Sequence, residues 1–167
     1  MPRLAFWLME RYDPILLDTD DPAPSTMKDV LAELKASRVA MVFPEGMRSK
    51  DGIVRPLQRG IWLLIRRGGA PILPMAVEGV LDVMPPGKGL GRRGRLAVIL
   101  GTPIPAEDLI EMGREAALEH LRLVLDDLRM ELREDIRSRS KGRWPRPGPA
   151  DQSVRDSLAE TPSTGRD

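Results

Sequence analysis

The stretch Phe43-Pro44-Glu45-Gly46-Met47-Arg48-Ser49 sets a carboxylate and a guanidinium three residues apart. It follows directly on the apolar run Val39 to Phe43. A guanidinium grips a phosphate through two parallel hydrogen bonds, so Arg48 is a candidate phosphate ligand. Glu45 can accept from a hydroxyl or hold Arg48 in place, and Gly46 permits a tight turn and close approach of backbone to ligand. The same spacing also fits a surface turn closed by an i,i+3 ion pair, and spacing alone does not separate the two. The one imidazole of the chain is His120, with Asp126 and Asp127 following it. Its simplest reading is a partly exposed residue beside a helical leucine seam. With no cysteine, thiolate zinc sites, disulfides and cysteine nucleophiles are excluded.

The elements that position these residues follow from periodicity. Ile15-Leu16-Leu17 reads as a short buried strand, ahead of a polar loop from Asp18 to Pro24. Thr26, with Asp29 three residues on, predicts a capped helix whose apolar stripe is Val30, Leu31 and Leu34. Val39 to Phe43 is apolar on both faces, the pattern of a strand in a covered sheet. Pro56 fits the first turn of a second helix, striped by Leu57, Ile61, Leu64 and Ile65 and ended by Gly68-Gly69. Ile72 to Val77, broken by Pro74, predicts an edge or bulged strand. Leu96 to Leu100 predicts a fourth strand. Pro105 opens a long helix to about Arg137, with Leu118, Leu121, Leu125, Leu128 and Leu132 as its apolar seam. The alternation implies an α/β fold, a mixed and largely parallel sheet flanked by helices. In such sheets ligands bind beyond the carboxyl ends of strands, where Pro44 to Ser49 lies.

The chain has 167 residues, enough for one domain and a tail. Its 26 Lys plus Arg against 25 Asp plus Glu leave a net charge of +1, and only 4% of residues are aromatic. That balance argues against a basic nucleic-acid module. No apolar run is long enough to span a bilayer. Leu4 to Met9, with Phe6 and Trp7, predicts core packing ahead of bilayer contact. Without cysteine or a recognisable signal segment, a cytoplasmic address is expected. Pro85 to Arg95 is a Gly-rich loop carrying Lys88, Arg92, Arg93 and Arg95 and no acid. Its G-x-G-x-x-G spacing, Gly89 to Gly94, opens no helix and lacks the dinucleotide-binding context. Attraction to anionic lipid head groups is the functional reading of that loop, and a solvated loop the plain one. From Lys141 the chain is rich in Pro, Ser and charge. Domain 1–140 and a disordered tail 141–167 are therefore expected, with Trp144 exposed to solvent or, as the alternative, an interfacial anchor.

The Phe43 to Ser49 stretch resembles the FPEGTRS motif of the glycerophosphate and lysophospholipid acyltransferase family. Leu57-Gln58-Arg59-Gly60 is similar to the segment that follows it there. Gly69 to Gly79, reading GAPILPMAVEG, resembles the family's next motif, a G-x-P-[IV]-[IV]-P-[VM] strand. The resemblance spans roughly Leu4 to Ile104.

The resemblance implies transfer of a fatty acyl group from a thioester, acyl-CoA or acyl-carrier protein, to the hydroxyl of a lysophospholipid or glycerol phosphate. No cofactor is implied. Glu45, Gly46, Arg48 and Ser49 would bind the acceptor's glycerol-phosphate end, and Pro71 and Pro74 would shape the pocket wall. The place of action would be the inner face of the cytoplasmic membrane. The family's catalytic His-x4-Asp pair, in which His takes the hydroxyl proton, precedes these motifs. No such pair occurs here, so an N-terminally incomplete acyltransferase-like fold, inactive alone, is the expectation. A non-catalytic phosphate- or lipid-binding remnant, or a partner of a complete enzyme, is the alternative. Two further departures are Met47 for a common Thr, and Asp18-Thr19-Asp20 where the family's second motif usually carries Arg. The latter hints at a branch that takes lysophosphatidylethanolamine-like acceptors.

Overall fold

The computed structural model describes residues 24–85 and 93–159. The expected strand Ile15-Leu16-Leu17, the segment Leu4 to Met9, and Lys88 and Arg92 lie outside the described residues. The elements in chain order are α1 (Pro24–Lys35), α2 (Gly60–Gly68), β1 (Met75–Glu78), α3 (Val80–Val83), β2 (Ala97–Leu100), α4 (Ala106–Met112) and α5 (Arg114–Arg139). A 3-10 turn (Pro149–Asp151) and α6 (Val154–Ala159) close the chain. Helix α1 starts at Pro24 rather than after Thr26, since proline's fixed φ suits a first turn. Helix α2 starts at Gly60, later than Pro56 predicts, because the Arg55 and Gln58 N–H groups are bonded to the motif turn. Gly113 divides the expected last helix into α4 and α5.

The mixed α/β architecture holds, but the largely parallel pairing is corrected. The described sheet has two strands, β1 and β2, antiparallel, with Met75 opposite Leu100 and Val77 opposite Val98. Ile72 and Ile104 extend the pair by an isolated bridge beyond the interruption at Pro74. The strands are consecutive, so an antiparallel return closes without a crossover helix. The run Val39 to Phe43 forms no strand among the described residues, and its Val39, Met41 and Phe43 are exposed. Gly79 ends β1 at φ +90, and a Cβ there would lie 1.8 Å from the Arg95 carbonyl oxygen. Only glycine allows the chain before β2 to pass that close.

The core lies between α2, α4 and the first half of α5. Leu57, Ile65, Ala106, Leu109, Ala117 and Leu121 are buried, with Trp62, Ile104 and Leu125 packed on them. Below it, β1 and β2 rest on α5. The leucine seam of α5 is therefore spent inside the chain, with Leu121 and Leu132 buried.

The expected disorder from Lys141 is corrected as far as Ala159. Pro145 and Val154 are fully buried. Arg129 donates to the carbonyls of Ala150 (2.6 Å) and Gln152 (3.1 Å), and Arg133 to that of Arg146 (2.8 Å). Asp126 accepts from the Val154 N–H at 2.6 Å. The segment has few large apolar residues, and charge-assisted hydrogen bonds to α5 hold it, which composition does not reveal.

Candidate functional site

The motif turn is built from its backbone outward. The Gly46 N–H donates to the Phe43 carbonyl (3.1 Å), closing the turn, and Gly46 sits at φ +76. The Gln58 N–H donates to the Pro44 carbonyl at 2.8 Å, and the Gln58 side-chain amide reaches the Glu45 carbonyl at 3.4 Å. The Glu45 carboxylate accepts from the Arg55 N–H at 2.9 Å. Arg55 and Gln58 thus brace the turn through their backbone N–H groups.

The second half is closed by side chains. The Ser49 hydroxyl lies 2.9 Å from Asp51 Oδ1 and 3.1 Å from the Ile53 carbonyl, and it accepts from the Gly52 N–H at 2.9 Å. Asp51 also accepts from the Ile53 N–H (3.2 Å) and from Arg55 Nη2 (2.5 Å). Partial burial pushes the Asp51 carboxyl up. The hydrogen bonds from Ile53 and Ser49 and the Arg55 charge outweigh this and hold it below its ordinary value.

This arrangement decides between the two readings of the spacing. Glu45 is engaged by Arg55, not by Arg48, so the i,i+3 ion pair is not formed. Arg48 is exposed and has no hydrogen-bond or ion-pair partner among the described residues. Glu45, Gly46 and Ser49 share one braced turn, but the Ser49 hydroxyl is taken up within it. Pro71 is exposed and Pro74 buried in a separate segment after α2, where the Pro74 carbonyl accepts from the Gly101 N–H. No hydrogen bond joins that segment to the turn among the described residues. The bracing residues Asp51, Arg55 and Gln58 were not singled out by the sequence. The Asp51-Gly52 turn dipeptide, with Arg55 four residues after Asp51, was the available signal.

His120 lies partly exposed on α5, as expected. The acids after it are engaged elsewhere, Asp126 by Arg129 (2.9 and 2.7 Å) and Asp127 by Arg155 (2.9 and 2.7 Å). No cluster of three or more His, Cys, Asp or Glu suited to a metal occurs among the described residues. Of the basic loop, Arg93 and Arg95 are described and exposed. No described helix is long and apolar enough to cross a membrane.

Helices packed on a short antiparallel sheet, with a braced turn presenting a guanidinium that has no partner among the described residues, make up a mixed α/β domain. The acyltransferase family model matches residues 1–78. The 1-acyl-sn-glycerol-3-phosphate acyltransferase of Bacillus subtilis is 28% identical over 120 residues, 72% of this chain and 57% of the relative. The chloroplastic enzyme BAT2 of Brassica napus, described by the same activity, is 30% identical over 124 residues, 71% of this chain and 36% of the relative. The fold is shared with the crystal structure of the 1-acyl-sn-glycerophosphate acyltransferase PlsC from Thermotoga maritima. That likeness has a TM-score of 0.61 at 20% identity and covers 85% of this chain and 53% of that one. The chain is supported as a member of the acyltransferase family by the match over residues 1–78, these relatives and the shared fold together. It spans 57% of the length of the first of these relatives and 36% of the second.

Proposed function

We propose that this chain serves acyl transfer in phospholipid synthesis by binding the phosphate end of a lysophospholipid or glycerol-phosphate acceptor. The observation that carries this reading is the state of Arg48: exposed and without a partner among the described residues, on a turn where Glu45 and Ser49 are hydrogen-bonded to other residues. A guanidinium without an internal partner gives up no ion pair when it takes a phosphate. Glu45 stands three residues before it, with one carboxylate oxygen committed to Arg55 and the other available to the acceptor's hydroxyl. Gly46 and Ser49 keep the turn in shape.

In the reaction the acceptor hydroxyl oxygen bonds to the thioester carbonyl carbon of acyl-CoA or acyl-carrier protein. The carbon–sulfur bond breaks, and the hydroxyl proton must pass to a base. The one imidazole of these 167 residues, His120, lies on α5, outside the motif, and no hydrogen bond joins it to the turn among the described residues. Binding without turnover is therefore expected of them alone. Transfer is expected once an upstream segment carrying His-x4-Asp is joined to them. A second reading, a non-catalytic lipid-phosphate binder, rests on this same placement of His120 and predicts no transfer with the joined segment.

The place of action is the inner face of the membrane, which the exposed Arg93 and Arg95, with Lys88 and Arg92, would approach. Calorimetric titration with glycerol 3-phosphate and a soluble short-chain lysophosphatidic acid tests the acceptor site. Arg48→Ala should weaken both at least tenfold with an unchanged unfolding midpoint, and equal affinity would sink the reading.

A further inference from the structure

Beyond α5 the chain turns back on itself. Ser140 Oγ accepts from the Trp144 N–H (2.8 Å) and reaches the Trp144 carbonyl (2.7 Å). The Arg146 N–H donates to Asp82 Oδ2 at 3.2 Å. These bonds set Arg143 and Trp144 against the residues leading into β2. Val83, Arg93, Gly94, Arg95, Leu96, Arg143 and Trp144 line an open cleft of about 550 Å³.

The charges around it do not balance. Arg93, Arg95 and Arg143 have no side-chain partner among the described residues. Along α5 and after it, by contrast, Arg122, Arg129, Arg133, Arg137, Arg139, Arg146 and Arg155 are each paired with a carboxylate. The carboxylate beside the cleft, Asp82, is buried and taken by Arg146. Arg146 also lies 4.8 Å over the Trp144 ring and holds it in place. The cleft opens onto an aliphatic face. Leu96, Val98 and Leu100 are each more than half exposed, and Val77 stands opposite Val98 at 41% exposure. Unpaired arginines, an indole and a stripe of exposed aliphatic side chains are the components of an interfacial surface.

We propose that this cleft and the adjoining face of β1 and β2 dock on an anionic phospholipid bilayer. Arg93, Arg95 and Arg143 take lipid phosphates, Trp144 lies at head-group level, and Leu96, Val98 and Leu100 face the acyl chains. The proposal deepens the membrane-surface reading of the basic loop and stands apart from the Arg48 site. It assigns a binding role to Arg143 and Trp144, residues outside the family motifs.

Sedimentation of the full chain with phosphatidylcholine vesicles, with and without phosphatidylglycerol, tests it. Binding should require phosphatidylglycerol and weaken with salt. The variant Arg93→Gln/Arg95→Gln/Arg143→Gln, with a wild-type unfolding midpoint, should partition about 100-fold more weakly, roughly fivefold per arginine. Trp144→Ala should lose the quenching by bromine-labelled lipid that Trp144 contributes. Arg48→Ala should bind these vesicles as the wild type does, so failure of the acceptor site is read separately. The docking surface is overturned if the triple variant binds within twofold of wild type, if phosphatidylcholine alone suffices, or if inorganic phosphate at equal ionic strength displaces the protein from the vesicles.

Discussion

Arg133 donates from Nη1 to Glu78 Oε1 at 2.5 Å, and both side chains are more than nine-tenths buried. The pair ties the last residue of β1 to the middle of α5 across 55 positions of sequence. Arg133 also donates to Asp151 and to the Arg146 carbonyl, so one guanidinium joins strand, helix and C-terminal segment.

Removing one partner of a buried pair leaves the other charge unpaired, at about 3–5 kcal/mol. Arg133→Met strands the buried Glu78 carboxylate without its cation and should lower stability by that order, read from urea unfolding. Arg133→Met together with Glu78→Leu should cost much less, since no orphan charge remains. An unchanged midpoint in Arg133→Met would show the pair to be dispensable.

Truncation after Ser140 removes the acceptors of Arg129 at Ala150 and Gln152 and the buried Val154. The shortened chain should unfold at markedly lower urea and show faster amide exchange in α5. A tail of the kind its composition suggests could be deleted at no cost, so an equal midpoint would restore that reading.

Burial pushes the Asp151 carboxyl up, but the Gly148 N–H and the guanidinia of Arg133 and Arg137 outweigh it and hold it far below the usual carboxylate range. A carboxyl depressed in the folded state stabilises fully above its unfolded value, about 3.9, and loses that contribution as pH falls toward the folded value. Stability should therefore drop below about pH 4. Asp151→Asn should be weaker at neutral pH and approach the wild type as the pH falls. A constant difference between the two across that window would rule Asp151 out as a source.

Val39, Met41 and Phe43 are 96%, 68% and 74% exposed. An unpaired apolar segment with free backbone groups invites pairing with another chain. The 167-residue chain is expected to self-associate with rising concentration in sedimentation velocity, and Met41→Lys/Phe43→Lys to remain monomeric. A concentration-independent wild-type monomer would contradict this.

Local chemistry was legible in the sequence. The Pro44 to Ser49 turn, the stripe of α2, its Gly68-Gly69 end and the start of α4 after Pro105 all follow from residue type and short-range spacing. Such features depend on neighbours within one or two turns of chain, which periodicity records. The tertiary structure alone decided the partner of Glu45, ten residues away at Arg55, which leaves Arg48 unpaired. It also decided the antiparallel pairing of β1 with β2, and the folding back of residues 141–159 onto α5. These outcomes rest on hydrogen bonds and ion pairs between residues distant in sequence. Their strength is set by geometry and burial, and composition, which reads an arginine-rich, apolar-poor segment as solvated, does not record either.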